Sequence, residues 1–254
     1  MTAIDAGAAL PQQKTDYIPV LLPILLALVA LPLVGSFSTW TTLTLAGLAM
    51  GMMIFAMASG LTLVFGLMDV MNFGHGAFVA VGAYVAVVAF APMVALTQSE
   101  SLASNLMALI PAMVFAMAVT GVAGYAFERL LVRPVYGQHL KQILITMGGL
   151  IVIEQLLYAS FGPQMNPLPL PSALRGSISL GSAAIEKYRL LAVVIGLIVF
   201  AGLQFTLTRT KLGLLIRAGV ENGEMVEALG YRIRRLFVGV FMAGSALAGL
   251  GGLM

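Results

Sequence analysis

What most constrains this chain is a succession of apolar runs, each of bilayer-crossing length, separated by short polar segments. A transmembrane helix needs roughly 17 to 25 mostly apolar residues. Spans are therefore expected near 18–35, 42–66, 77–96, 106–127, 142–161, 190–207 and 236–254, about seven in all. Apolar residues make up 60% of the chain and charged residues 9%, whereas soluble domains carry about a quarter charged residues. The expected fold is an all-α polytopic membrane protein, with residues 17–254 forming one transmembrane domain. Residues 1–16 are polar and without helical period, and read as a short disordered tail.

One interruption stands apart. Between Gly60 and Ala86 two apolar runs meet at a polar, glycine-rich break from Asp69 to Gly76. Irregular backbone at membrane depth survives only where it is buried in protein or lines a wet cavity. Asn72, His75 and Asp69 supply hydrogen-bonding groups there, and Gly66, Gly74 and Gly76 allow unusual dihedrals and close backbone approach. Two readings stand: an interrupted helix lining a conduit, or a tight turn between two helices with His75 satisfied by a neighbour.

Charge orients the bundle. With the N-terminus cytoplasmic, the inside segments hold Lys14, Arg129, Arg133, Lys141, Arg209, Lys211, Arg217, Arg232, Arg234 and Arg235, and the outside only Arg175, Lys187 and Arg189. Ten of thirteen basic residues inside is the asymmetry of the positive-inside rule. The same rule explains the net charge of +3 without nucleic acid. The first run is longer than a signal-peptide core and is read as an uncleaved helix. Cytoplasmic loops are expected at 128–141 and 208–235, and the proline-spaced segment 162–189 is the one substantial outside loop, a stiff connector or a cap.

Glu154 stands about thirteen residues into the fifth run, with Gln155 beside it and Tyr158 one turn on. An ionisable group at that depth is expected to face the bundle interior and find a partner, either as a substrate contact or as a packing hydrogen bond. Gly47 with Gly51, Gly121 with Gly124, and Gly244 with Ala248 are small residues spaced for close helix contact. In the inside segment Thr208 to Arg235, Asn222 is placed to cap a short helix that ends near Ala228 or Leu229, with Gly230 at its C-terminal end. Met225, Val226 and Leu229 give that helix an apolar face, fit for the groove of a soluble partner or for the membrane surface. There is no cysteine, so thiolate chemistry is excluded, and no nucleophile with a matching base suggests an enzyme. No GxxxxGK[ST] loop is present, so any coupled ATP hydrolysis belongs to another chain.

These regions give the chain its resemblance. Asn72-Phe73-Gly74-His75-Gly76, preceded by Gly60-Leu61-Thr62 and followed by Gly82-Ala83-Tyr84, resembles the signature of the membrane permease of bacterial branched-chain amino acid ABC importers. A second match is Glu128, Arg129, Arg133 and Pro134, and a third is Gly213, Arg217, Ala218, Glu221, Met225, Ala228, Leu229 and Gly230. The resemblance runs from about residue 42 to the end, and closely similar permeases carry urea and short amides. It implies a helical permease of the type II importer kind in the bacterial inner membrane, a translocation subunit with no cofactor or metal. A second homologous permease, two ATPase subunits and a periplasmic binding protein are the partners it implies. Asn72 to Gly76, with Glu154 and Gln155, would line the pathway, and the third motif would be the coupling loop that meets the ATPase. Similar permeases continue beyond the position of Met254, so a C-terminal truncation is expected. The competing reading is a stand-alone secondary transporter or channel, for which an inverted repeat would speak.

Overall fold

The computed structural model describes residues 17–163, 170–180 and 183–254. The expected tail 1–16, Lys14, Pro167 and Pro169 lie outside them. Helix α1 (Ile18–Val34) is followed by Gly35 in the left-handed region, and α2 (Phe37–Met68) starts on Ser36, whose hydroxyl accepts from the Thr39 amide. The Trp40 indole donates to the Ala27 carbonyl at 2.6 Å and ties the two helices together. Then come α3 (His75–Phe90), α4 (Val94–Thr97), α5 (Leu102–Phe127) and α6 (His139–Phe161). A hairpin of β1 (Ser177–Leu180) and β2 (Ala183–Glu186) leads into α7 (Lys187–Arg209), α8 (Lys211–Glu221), α9 (Gly223–Ala228) and α10 (Ile233–Leu253).

Among the described residues six helices are long and apolar enough to cross a membrane. The expected seventh, α1, is 17 residues long and holds Pro23 and Pro32, and the chain turns at Gly35 before α2 begins. The chain is an all-α polytopic membrane protein, its described residues holding six such spans and one shorter apolar helix. The end of the fourth expected span also moves. The helical run of α5 continues as a π turn over Glu128–Val132 and a 3-10 turn over Arg133–Val135, so most of the expected loop 128–141 is helical.

Helix α10 forms the axis of the bundle, held between α2, α3 and α5. Small residues make this possible. A Cβ on Gly60 would overlap the Gly244 backbone, one on Gly82 would overlap Gly249, and one on Gly124 would overlap the Ser245 side chain. Without a hydrophobic drive between helices in lipid, such close backbone approach supplies the van der Waals contact that holds them. Phe78, Phe127 and Phe241 interlock beside this seam, with ring centroids 5.3 to 6.2 Å apart. Gly47 and Gly51 behave otherwise: among the described residues nothing lies within 4 Å of either position's Cβ site, so this pair is not a close-packing seam there.

On the face opposite the break, the described part of segment 162–189 folds back onto the bundle instead of standing off as a connector. Leu174 packs among Ala86, Phe90 and Leu109, and the Asn105 side chain accepts from the Ala173 amide at 2.9 Å. Apolar Leu174 and Ile185, both buried, give it reason to.

Candidate functional site

The break is ordered by α6. Helix α2 stops at Asp69, which takes a left-handed conformation at φ 52° and ψ 36° while its amide still bonds the Phe65 carbonyl. Asp, with its short polar side chain, tolerates that region better than most L-residues. The next amides find side-chain acceptors: Met71 N–H donates to Gln142 Oε1 at 3.2 Å, Phe73 N–H to Thr146 Oγ1 at 3.1 Å and Gly74 N–H to Asn72 Oδ1 at 3.0 Å. Gln142 and Thr146 stand one turn apart on α6 and are fully buried. A side chain at Gly74 would meet the Phe127 ring and the Thr146 carbonyl.

His75 opens α3 with its Nε2 3.0 Å from the Met57 carbonyl, so that nitrogen carries the proton and donates. Its Nδ1 and the Asn72 Nδ2 are buried without a partner among the described residues. Of the five signature residues, Asn72, Gly74 and His75 are enclosed by the chain's own helices, while Phe73 and Gly76 are exposed.

The second motif provides a buried acid that its position at the edge of a span had not suggested. Glu128 enters the π turn fully buried; Oε1 accepts from the Tyr136 hydroxyl at 2.7 Å, and Oε2 has no partner among the described residues. Burial and then the carboxylate push the Tyr136 hydroxyl far above its ordinary range, so it remains a donor. Arg129 turns outward and donates to the Tyr125 hydroxyl at 2.7 Å.

A cavity of about 890 Å³ lies between these elements. Its walls include Asp69 from the break, Glu128 and Arg133 from the second motif, Gln142 from α6, Glu224 from α9 and Arg234, so the start of the break, the second motif and α9 meet at one face of the bundle. Gln142 and Tyr136 were missed from the sequence. A polar pair at i and i+4 in an apolar run, Gln142 with Thr146, was the available signal.

The third motif builds a helical hairpin on the same face. Thr210 caps α8 through the Gly213 amide, and Asn222 caps α9 by accepting from Met225 N–H at 2.9 Å. Gly230 closes α9 at φ 89°. The expected apolar face divides in two: Val226 is 5% exposed and anchors α9, while Met225 and Leu229, one turn apart, are 63% and 69% exposed. A step of one residue turns a helix by about 100°, which separates Val226 from the other two. Arg217, Glu221, Ala228 and Gly230 are also exposed, and Ala218 is half-buried.

Glu154 departs from expectation. It and Gln155 are exposed on the outer face of α6, not turned into the bundle, and Glu154 has no ion-pair partner among the described residues. The cause is α6 itself, which meets its neighbours mainly through its first turns, where Gln142, Thr146 and Gly149 are buried. Among the described residues no three of His, Asp and Glu come together as a metal site would require.

Residues 43–254 match the family model described as branched-chain amino acid transport system, permease component. The chain belongs to this permease family. It is 27% identical to the high-affinity branched-chain amino acid transport system permease protein BraD of Pseudomonas aeruginosa, over 80% of this chain and 66% of that protein. It is 24% identical to the corresponding permease protein LivH of Escherichia coli K12, over 82% of this chain and 68% of that protein. The chain therefore spans about two thirds of the length of these relatives. No solved structure matches this permease.

Proposed function

We propose that this chain is the membrane-spanning subunit of an ATP-binding-cassette importer carrying branched-chain or other amino acids into the cytoplasm. It works with a second, homologous permease, two ATPase subunits and an external binding protein. The observation that carries the reading is the meeting of the second motif with Asp69 of the break and with α9, the helix inside the third motif's segment, around one polar cavity. In this arrangement that face is cytoplasmic, and α1, as a short seventh crossing, returns the N-terminus to the same side. Met225 and Leu229 point away from the bundle and form the contact to the ATPase, and Val226 transmits movement of the hairpin to the core.

The substrate route follows from what is filled and what is bare. The bundle axis is occupied by α10 with backbones in contact, whereas a carboxylate on α6 stands exposed at membrane depth, where an uncovered charge is costly. The route therefore runs along the outer face of α6, past Glu154 and Gln155, and the second permease covers it. The break, through the amides of Met71 and Phe73, holds α6 in position beside that route by way of Gln142 and Thr146.

The test uses an assembled importer. Replacing Met225 and Leu229 with aspartate should leave membrane abundance unchanged and abolish substrate-stimulated ATP hydrolysis. Stimulation at the parental level in that double variant would remove the hairpin from the mechanism.

A further inference from the structure

A second cavity, of about 780 Å³, lies on the other side of α10, walled by α2, α7, α8 and α10. It is a different kind of space from the polar one. Its lining follows α10 from Ile233 to Leu247 and α7 from Val199 to Leu207, nearly all of it aliphatic, and no Asp or Glu lines it. Water gains little in so apolar a space. At 1.5 Å per residue the groove runs about 21 Å along α10, longer than one leaflet's share, about 15 Å, of the hydrocarbon core.

Two features give it a polar mouth and a side door. Arg232 and Arg235 line the end where α10 begins, both exposed and neither within ion-pair distance of an acid among the described residues. Tyr231, an amphipathic residue of the type that favours the membrane interface, stands with them. Gly202 on α7 and Gly239 on α10 are exposed, and each has open space where a Cβ would stand, so the wall is thin at both positions.

We propose that this groove is a binding site for a membrane phospholipid with an anionic headgroup. One acyl chain lies along α10, and the phosphate is held by Arg232 and Arg235. The aliphatic lining takes the chain and the two guanidiniums pair with the phosphate oxygens, Glu227 lying in an adjoining cavity beside both arginines but outside the groove itself. The lipid would brace α8 and the start of α10 against α7, beneath the hairpin. The site stands on this geometry alone and does not depend on the import reading.

The test is photo-crosslinking in phosphatidylethanolamine vesicles doped with either a diazirine-tailed phosphatidylglycerol or the matching phosphatidylethanolamine probe, followed by peptide mapping. The glycerol probe should label α7 and α10 lining residues on the order of 30-fold more than the other, about fivefold for each basic residue. R232Q/R235Q should bring that ratio close to one, whereas R232K/R235K should keep most of it. Filling the groove with G202F/G239F should remove labelling there by both probes, while labelling of the outer face of α6 persists and reports a folded chain. Equal labelling by the two probes in the parental protein would overturn the proposal. Absence of labelling at α7 and α10 by either probe, with the outer face of α6 labelled as usual, would also overturn it.

Discussion

The Phe127 ring is clamped between two glycines from different elements, and this makes a quantitative prediction. A Cβ at Gly74, in the break, would stand 2.7 Å from Phe127 Cζ and 3.0 Å from the Thr146 carbonyl oxygen. One at Gly149, on α6, would stand 2.5 Å from Phe127 Cε2 and 2.8 Å from Leu131 Cδ1. Carbon atoms rest at about 3.5 to 4.0 Å, so each alanine must move the same ring by roughly an ångström. Overpacking of that kind costs about 1 to 3 kcal/mol. For G149A the better helix propensity of alanine offsets about 1 kcal/mol of this, so G74A is the more damaging of the two. F127L removes the clashing ring atoms. On its own it forfeits the edge contact to Phe78 and the stack on Phe241, about 0.5 to 1.5 kcal/mol for each aromatic pair. In G74A/F127L the clash has no ring to act on, so the double variant should be more stable than the sum of the singles by about 1 to 2 kcal/mol. Unfolding by sodium dodecyl sulfate in mixed micelles, followed for all four forms, measures this coupling. Additivity within about 0.5 kcal/mol, the range for independent sites, would refute the clamp and place the Gly74 requirement elsewhere.

Four further outcomes are expected. Y136F strips the Glu128 carboxylate of its one donor and should cost about 1 to 3 kcal/mol; the loss should shrink in an E128Q background, and equal losses in both would break the link. D69G relieves a left-handed aspartate and should raise stability by about 1 kcal/mol; a drop in melting temperature would mean that the His139 ring, 3.7 Å away, matters more. E154Q, at an exposed and unpaired site, should stay within about 0.5 kcal/mol of the parent in stability while uptake falls, and unaltered uptake would take Glu154 off the route. In this cysteine-free chain a cysteine at exposed Gln138 should resist impermeant thiol reagents applied to intact cells, and ready labelling would invert the proposed topology.

Some of this protein was written locally enough to read without coordinates. Apolar length is set by bilayer thickness, so α2, α3, α5, α6, α7 and α10 were each visible as runs. The Asn222 cap and the left-handed Gly230 depend on neighbours within a few residues, and the sequence shows those directly. The break after Met68 was equally plain as polar residues where none belong. Which way the helices face was not. A transmembrane helix is apolar around most of its circumference, so no amphipathic pattern tells the buried side from the bare one. Glu154 looked like an interior group and lies outside; Glu128 looked like a span boundary and is fully buried. The Gly47 and Gly51 pair looked like a helix contact, yet among the described residues nothing stands at either Cβ site, while Gly60 and Gly244, 184 positions apart, form one. Contacts between distant residues are decided by which backbones can approach, and that is a property of the assembled bundle. Tertiary structure alone brought Gln142 and Thr146 to the break and set the second motif beside Asp69 and α9 around one cavity, because the amides of Met71 and Phe73 freed after α2 found their acceptors on a neighbouring helix.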